Sequence, residues 1–549
     1  MIITQVVIEN FKGFKNRFSL KLNEGVNILV GDNEAGKSTI LEAIHFALTG
    51  MYNGRSIKNN LSQYLFNEQA VKEYIESFAG EDVKAPPTML VELYFKETAE
   101  TAILTGDGNS SGISSPGIFI KVEFDDDYNS AYEDMIAAGE VKTLPVEYYR
   151  VTWKGFSRAS IISRNIPIKS AFIDSTASRS NNGSDVYISR IIKELLTSEE
   201  VISVSQSHRK MKESFMMDPA IEAINGKIKT ASKITDKDVK ISVELSSQNA
   251  WENSLITCLD EIPFHFIGKG EQSIVKTNLA LAHNKAKEAS VVLIEEPENH
   301  LSHSKLNNLI KTIKDNCAGK QILITTHSSF VANKLGLGEL ILLSDKKTTK
   351  LTDLKESTRE FFEKIAGYDT LRLILCKKAI LVEGDSDELV VQKAYMVSND
   401  GRLPIEDGIE VISVGISFLR FLEIASHLGK QTYVLTDNDG DVGALERKYE
   451  EYLGGNKKEN IEILYDPEVD VGDLKIGEKK FNYNTLEPKI LKINGRAVIN
   501  TVLGTDFDED DKLHVYMKKN KTECALKIFN YDDNAVEIKY PDYILDALK

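Results

Sequence analysis

Eight residues, Gly31-Asp32-Asn33-Glu34-Ala35-Gly36-Lys37-Ser38, have the spacing of a loop that wraps phosphate groups. Glycines let backbone N–H groups curl around the anion, and a helix starting at Lys37 adds the positive end of its dipole. Asn33, Gly36, Lys37, Ser38 and Thr39 are the expected nucleotide contacts of this loop and first turn. Lys37 would neutralise the β- and γ-phosphates, and the Ser38 hydroxyl would bind Mg²⁺. Far along the chain, Val291-Val292-Leu293-Ile294 runs into Glu295-Glu296-Pro297. Two carboxylates at the end of an apolar strand can divide the work, Glu295 holding the metal and Glu296 polarising a water. His327, after the next apolar run, is placed to meet a γ-phosphate.

A second set of acids follows. Ala379-Ile380-Leu381-Val382 ends in Glu383-Gly384-Asp385-Ser386-Asp387-Glu388, and Tyr433-Val434-Leu435-Thr436 ends in Asp437-Asn438-Asp439-Gly440-Asp441. Parallel strands would carry Glu383, Asp437 and Asp439 to one sheet edge, where ligands bind. Carboxylates gathered this way repel unless cations sit between them, and Mg²⁺ suits an all-oxygen set better than zinc. A calcium loop is a poorer reading of the second run, because its twelfth position is Lys448 rather than Glu.

The elements that must position these groups are legible. Ile2–Ile8 alternates as a strand, Gly25–Val30 is a short buried strand entering the glycine loop, and Lys37–Leu48 stacks Ile40, Leu41, Ile44 and Leu48 on one helical face before Gly50. Met89–Phe95 and Gly117–Phe124 read as strands around a Gly/Ser-rich loop, and Gln321–Ile324 as the strand before Thr325-Thr326-His327. Val186–Ile228 has a helical pattern with Ile188, Ile191, Ile192 and Leu195, too short in heptads for a long coiled coil. From Lys378 strand and helix alternate anew: strands Ala379–Val382, Glu410–Val414, Thr432–Thr436 and Ile461–Leu464, with helices starting near Ser386, Ile416 and Val442. The expected division is an ATPase domain over 1–350, with a helical insertion near 185–240 as its dimerisation element, a connector over 351–377, and a second α/β domain over 378–549.

A hydrophobic fraction of 42% with 27% charged residues describes a globular chain of several domains. No apolar run reaches the roughly 18 residues of a membrane span, and the first residues lack the pattern of an export signal, so a cytoplasmic protein away from membranes is expected. Cys258, Cys317, Cys376 and Cys524 are scattered, which excludes a CxxC zinc site and suits a reducing compartment. The net charge of −16 argues mildly against nucleic acid, although a local basic groove can hide inside that sum.

Ile8-Glu9-Asn10-Phe11-Lys12-Gly13-Phe14, the glycine loop, Glu295-Glu296-Pro297 and His327 together resemble ATPases of the SMC/RecF type, a branch of the ABC ATPases. That resemblance implies two ATP molecules sandwiched between two heads, each capped by a signature segment of the other head. Ile267-Gly268-Lys269-Gly270-Glu271-Gln272 stands in the signature's place, with Gly268 for the usual Ser and Lys269 for the first Gly. Gly268, Gly270 and Gln272 would make that cap, ahead of a helix from Ile274, and Gln63 or Gln69 would sense the metal. The second set of acids resembles the Toprim domain, and the fusion resembles the OLD (overcoming lysogenization defect) family of nucleases, to which Thr485-Leu486-Glu487 and Met517–Leu526 also conform. By that resemblance Glu383, Asp387, Asp437 and Glu487 bind metal with Asp439 assisting, and Lys521 stabilises charge on the scissile phosphate.

The fold expected is therefore α/β: an ABC-type ATPase head with a helical insertion, then a Toprim domain with a Rossmann-like parallel sheet. The activity expected is ATP-gated, Mg²⁺- or Mn²⁺-dependent cutting of DNA by a homodimer or larger homo-oligomer. The family also implies phage defence, with a genomically adjacent partner. Three alternatives stay open on the residues alone: a repair or chromosome-organising ATPase without nuclease activity, a strand-passage enzyme with a tyrosine nucleophile, and a binding module in which both sites regulate a partner.

Overall fold

Short β-branched runs that end in glycine or acid, alternating with amphipathic helices, build two sheets around α1 and a third farther on. The computed structural model describes the chain except for residues 53–54, 79–82, 140, 175–179, 182–183, 186–195, 232–239, 243–250, 252–257, 283–288, 317–318, 345, 352–353, 366–368 and 533–535. Two compact units emerge: Met1–Thr326 with Leu343–Lys347, and His327–Leu342 with Thr348–Lys549.

In the first unit β1 (Ile3–Glu9) pairs antiparallel with β2 (Phe18–Lys21). After β3 (Val26–Gly31), α1 (Lys37–Thr49) and α2 (Glu68–Ser77), the antiparallel sheet continues through β4 (Met89–Phe95), β5 (Ser115–Phe124) and β6 (Tyr149–Gly155) in the order β2-β1-β4-β5-β6. A parallel sheet is formed by β3 with β7 (Ser170–Asp174), β8 (Val291–Glu295) and β9 (Gln321–Thr325), ordered β7-β8-β9-β3. Its register sets Glu295 opposite Thr325, and Thr325 opposite Leu29, so the strands finish together beside the glycine loop. All of Ile40, Leu41, Ile44 and Leu48 are buried, as expected, but so are Ala43, Phe46 and Ala47. The helix lies between the two sheets, with close counterparts on both, and is covered nearly all round. Gly50 ends it at φ +65, where a Cβ would stand 2.7 Å from the Trp153 ring.

The helical stretch expected over Val186–Ile228 is two helices where it is described, α3 (Ser198–Met216) and α4 (Pro219–Ala231). Pro219, which lacks an N–H, opens the second, and the Asp218 carboxylate caps Ala220 N–H. Ile188, Ile191, Ile192 and Leu195 lie outside the described residues. Next comes α5 (Lys269–Ala282).

The second unit begins with α6 (Ser329–Leu335). The expected connector carries two short helices, α7 (Glu356–Lys364) and α8 (Thr370–Leu375). Then follow β10 (Lys378–Val382), α9 (Asp385–Ser398), β11 (Ile409–Ser413), α10 (Phe418–Leu428), β12 (Gln431–Leu435) and β13 (Ile461–Leu464), each strand within one residue of the bounds expected from the sequence. The sheet is parallel, ordered β11-β10-β12-β13. A two-stranded hairpin, β14 (Lys475–Ile476) and β15 (Lys479–Lys480), precedes α11 (Leu486–Leu503), α12 (Asp510–Lys519), α13 (Lys521–Asn530) and α14 (Asp542–Leu548). The core joins Ile380 and Val382 of β10 to Val390, Leu486, Ile490, Leu513, Met517, Cys524 and Ile544. Packing of the last helices on the sheet thus carries Glu487 and Lys521 to the edge where Glu383 emerges. Among the described residues no helix is long and apolar enough to cross a membrane.

Candidate functional site

At the end of β3 the chain turns through Glu34 at φ +65 and Gly36 at φ +105 before α1. A Cβ on Gly36 would stand 2.6 Å from the Phe14 ring, so glycine is required by both conformation and space. Asn33 is exposed in the loop, Ser38 and Thr39 are half-buried in the first turn, and Lys37 is 5% exposed. The Lys37 ammonium donates to the carbonyls of Gly31 and Asp32 at 2.9 Å each, and so keeps its charge solvated by the loop itself. Burial lowers its pKa, opposed by the charges of Glu296, Asp32 and Glu298. The glycine loop and the acids after β8 therefore occupy one neighbourhood.

Those acids are held tightly. Glu296 has φ +40, its N–H reaches the Thr325 carbonyl at 3.1 Å, and Asn299 Nδ2 donates to its carboxylate at 2.7 Å. Thr326 Oγ1 donates to Glu298 at 2.8 Å. Glu295 is the last residue of β8 and half-buried, and exposed His327 follows directly on Thr326. Lys346 carries no motif in the sequence, yet its ammonium donates to the carbonyls of Glu34 and Ala35 at 3.0 Å each and lies 5.0 Å above the Phe14 ring. Only a contact across more than 300 residues reveals it.

The signature-like segment differs from its expected form. Helix α5 starts at Lys269 instead of Ile274, which puts Gly270 and Gln272 inside its first turn. Gln272 Nε2 donates to the carbonyls of Phe264 and Ile267 at 2.8 Å each, fastening the turn to the segment before it. A Cβ on Gly270 would stand 2.3 Å from the His300 carbonyl, whereas Gly268 is exposed with open space around it. Gln63 accepts the Leu144 N–H at 3.1 Å, and Gln69 donates to Glu73 at 2.9 Å.

In the second unit β10 and β12 run in register, Leu381 opposite Val434, so Glu383 and Asp437 leave adjacent strands at one edge. Thr436 Oγ1 donates to Glu383 at 2.9 Å, and Asp387 in the first turn of α9 accepts the Gly384 N–H at 3.0 Å. Asp439, at φ +49, accepts Asn482 Nδ2 at 2.8 Å. Glu487, in the first turn of α11 and 6% exposed, pairs with Lys521 at 3.1 Å. Asp441 caps the following helix through the Ala444 N–H. Burial, then Glu487 and Glu383, pushes Asp387 up to about 6. Burial, then Asp387, Glu383 and Glu487, pushes Asp437 up to about 9 against the pull of Lys521. Glu383, Asp387, Asp437 and Glu487 thus crowd one another with Lys521 among them, the five residues that the family resemblance had singled out.

Among the described residues, no group of three or more His, Cys, Asp or Glu side chains is already arranged to hold a metal ion. Glu383, Asp387, Asp439 and Glu487 each hold a protein partner instead. The donor set nonetheless fits a hard divalent cation: it is all oxygen, strongly negative, and made costly by mutual repulsion that a cation would relieve. Several positioning groups could not be seen in the sequence. Buried Asn438 donates to the carbonyls of Asp466 at 2.5 Å and Glu468 at 2.9 Å, fixing the turn between Asp437 and Asp439. Lys489, 3% exposed at its side chain, reaches Asp466 at 2.8 Å and Asp470 at 2.6 Å. Tyr543 of α14 is raised well above its ordinary pKa by burial and then by Asp437, Asp387, Asp466 and Glu487.

Comparison with known proteins agrees with this layout. A family model described as an AAA domain matches residues 5–366, and one described as the Toprim domain of overcoming lysogenization defect protein-like proteins matches residues 374–439. The DNA replication and repair protein RecF of Clostridium botulinum (strain Eklund 17B / Type B) is 30% identical over 80 residues, 15% of this chain and 21% of that protein. That of Clostridium novyi (strain NT) is 32% identical over 82 residues, again 21% of its length. The chain therefore matches only about a fifth of these relatives. Among solved structures, an SMC head bound to the C-winged helix domain of ScpA is 17% identical, covering 64% of this chain and 99% of that one at TM-score 0.31. The SMC head domain from Thermotoga maritima is 13% identical, covering 63% and 97%, at TM-score 0.29. With well over half of its 549 residues matched by the first model, the chain belongs to the AAA domain family, and residues 374–439 match the Toprim domain of overcoming lysogenization defect protein-like proteins.

Proposed function

We propose that this protein is an ATP-hydrolysing, divalent-metal-dependent endonuclease that cuts DNA. The observation that carries the reading is the crowding of Glu383, Asp387, Asp437 and Glu487 around Lys521, which raises the carboxyl groups of Asp387 and Asp437. Four carboxylates gathered at a sheet edge cost stability, and that cost is understandable if a cation is their purpose. Glu383, Asp387, Asp437 and Glu487 would hold Mg²⁺ or Mn²⁺, with Asp439 beside them; the metal, when bound, supplies Lewis acidity and an activated water. The residues do the rest. Thr436 orients Glu383, Asn438 fixes the turn that presents Asp437, and Lys521, moved off Glu487, would offset charge on the scissile phosphate.

At the nucleotide site Lys37 would exchange the carbonyls of Gly31 and Asp32 for the β- and γ-phosphates, and Ser38 and Glu295 would hold Mg²⁺. Glu296, oriented by Asn299, would position the attacking water. Gly268, Gly270 and Gln272 of a second protomer would close over the same ATP, so hydrolysis needs a homodimer. Gating of cleavage by ATP belongs to this reading through the family resemblance. A place in phage defence, a genomically adjacent partner and a cytoplasmic location belong to this reading through the family alone.

The test is nicking of supercoiled plasmid with Mg²⁺ or Mn²⁺, with and without ATP. Free 5′-phosphate ends that disappear with Asp437→Asn are expected. Covalent protein–DNA adducts would transfer the reading to strand passage, and absence of any metal-dependent cleavage would leave a nucleotide-driven ATPase without nuclease activity.

A further inference from the structure

The chain carries a net charge of −16, yet its second unit presents five exposed lysines close together in a hairpin and at one helix end. In the hairpin of β14 and β15, Lys475 lies directly opposite Lys480, and Ile476 opposite Lys479. All three lysines are exposed, as are Lys518 and Lys519 at the end of α12. Neighbouring lysines are paired: Lys489 and Lys492 with the acids of residues 466–470, Lys512 with Asp508, Lys521 with Glu487 and Lys527 with Glu523. These five have no carboxylate partner among the described residues, and the hairpin segment adds only Asp473 and Glu478 against them. Like charges directly opposite on paired strands destabilise a hairpin. A two-stranded hairpin gains little to offset this. An anion lying across it removes the penalty.

The hairpin is held firmly to α12. Phe481 N–H donates to the Leu474 carbonyl at 2.9 Å, and Leu474 N–H to the Tyr483 hydroxyl at 3.3 Å. Phe481 and Tyr483 both pack on His514 of α12, with ring centroids 5.1 Å and 5.3 Å away, and Lys518 lies 5.2 Å above the Phe481 ring. Both basic segments then run straight into the acidic centre. Two residues after Lys480, Asn482 donates to Asp439 at 2.8 Å; two residues after Lys519, Lys521 pairs with Glu487 at 3.1 Å.

We propose that Lys475, Lys479, Lys480, Lys518 and Lys519 form a track for the phosphodiester backbone of duplex DNA that leads it to the carboxylate centre. The track deepens the nuclease reading and rests on it. Its contacts go to phosphates, so they set affinity and register but carry no base sequence. Each lysine that neutralises a phosphate releases counterions, which makes its share of binding measurable through salt.

The experiment follows a fluorescein-labelled 30-base-pair duplex by anisotropy, in EDTA, over a series of NaCl concentrations. The hairpin variant Lys475→Gln/Lys479→Gln/Lys480→Gln should bind at least tenfold more weakly at 0.1 M salt. Its slope of log K against log salt should be shallower by about 2–3, near 0.9 for each lost contact. Lys518→Gln/Lys519→Gln should act in the same direction, and the corresponding Lys→Arg hairpin should keep the parental slope. The melting temperature of the hairpin variant should not fall, because it loses a like-charge pair. If the parent binds duplex and the hairpin variant binds with the same affinity and slope, the track is wrong and the nuclease reading survives. A parent that binds no duplex at any salt overturns the nuclease reading, and the track falls with it.

Discussion

Lys489 is a severe test of how the acidic centre is held. Its ammonium is buried against Asp466 at 2.8 Å, Asp470 at 2.6 Å and the Glu468 carbonyl at 2.8 Å, two residues beyond Glu487 on α11. Lys489→Met keeps the length and apolar stem of the side chain and removes the charge. Breaking a buried pair costs about 3–5 kcal/mol, because the surviving charges stay unpaired. The carboxylates of Asp466 and Asp470 retain 23% and 24% exposure, and Lys492 still reaches Asp470 at 2.6 Å. Water and that second lysine leave about 2–3 kcal/mol of the cost. For a unit of this size the fall in Tm is roughly 5–10 °C. Scanning calorimetry is the assay, since it can separate the transitions of two units that a single probe would merge. Neutralising the stranded acid should recover part of the loss, so Lys489→Met/Asp466→Asn should melt higher than Lys489→Met alone. The same loop accepts the Asn438 amide between Asp437 and Asp439, so maximal nicking should drop by about tenfold or more (about 1.4 kcal/mol in the barrier) while ATP turnover stays at the parental rate. A Tm within 2 °C of the parent, or a double variant that only adds the two losses, would refute the argument.

Lys37→Ala should abolish ATP binding in a titration with fluorescent nucleotide, because the loop loses the ammonium held on the Gly31 and Asp32 carbonyls; undiminished ATP turnover would make the loop structural. Asp437→Asn should stop plasmid nicking, leave ATP hydrolysis intact, and cancel the rise in Tm of the second unit that Mg²⁺ should give the parent by relieving carboxylate repulsion. A variant that keeps the Mg²⁺-dependent rise would show the cation bound elsewhere. Glu296→Gln should bind ATP, hydrolyse it slowly and accumulate as a dimer in light scattering. Lys37→Ala mixed with Gly268→Asp should regain part of its ATPase activity if subunits exchange. Gly268 has open space, whereas a side chain at Gly270 would collide with the His300 carbonyl and confuse misfolding with loss of the cap.

Much of this protein was legible along the chain because its chemistry sits where strands end. Gly31–Ser38, Glu295-Glu296, Glu383 and Asp437 each follow a short buried strand, and the period-2 and period-3.6 patterns that place them are local properties of the backbone. The strands of the second unit could be read for the same reason, and the family resemblance added Asp387, Glu487 and Lys521. Helix α5 starts five residues before the apolar pattern that begins at Ile274, because the Gln272 side chain fastens an earlier turn to Phe264 and Ile267. Contacts between distant residues left no such trace. Lys346 on the carbonyls of Glu34 and Ala35, Lys489 under the 466–470 loop and the close approach of Gly270 to His300 depend on how sheets and helices pack. Sequence determined which groups are available and which strand ends carry them, because backbone periodicity acts over a few residues. Tertiary structure alone decided which lysine meets which carboxylate and which are left for a phosphate, because those pairings are set by packing across tens to hundreds of residues.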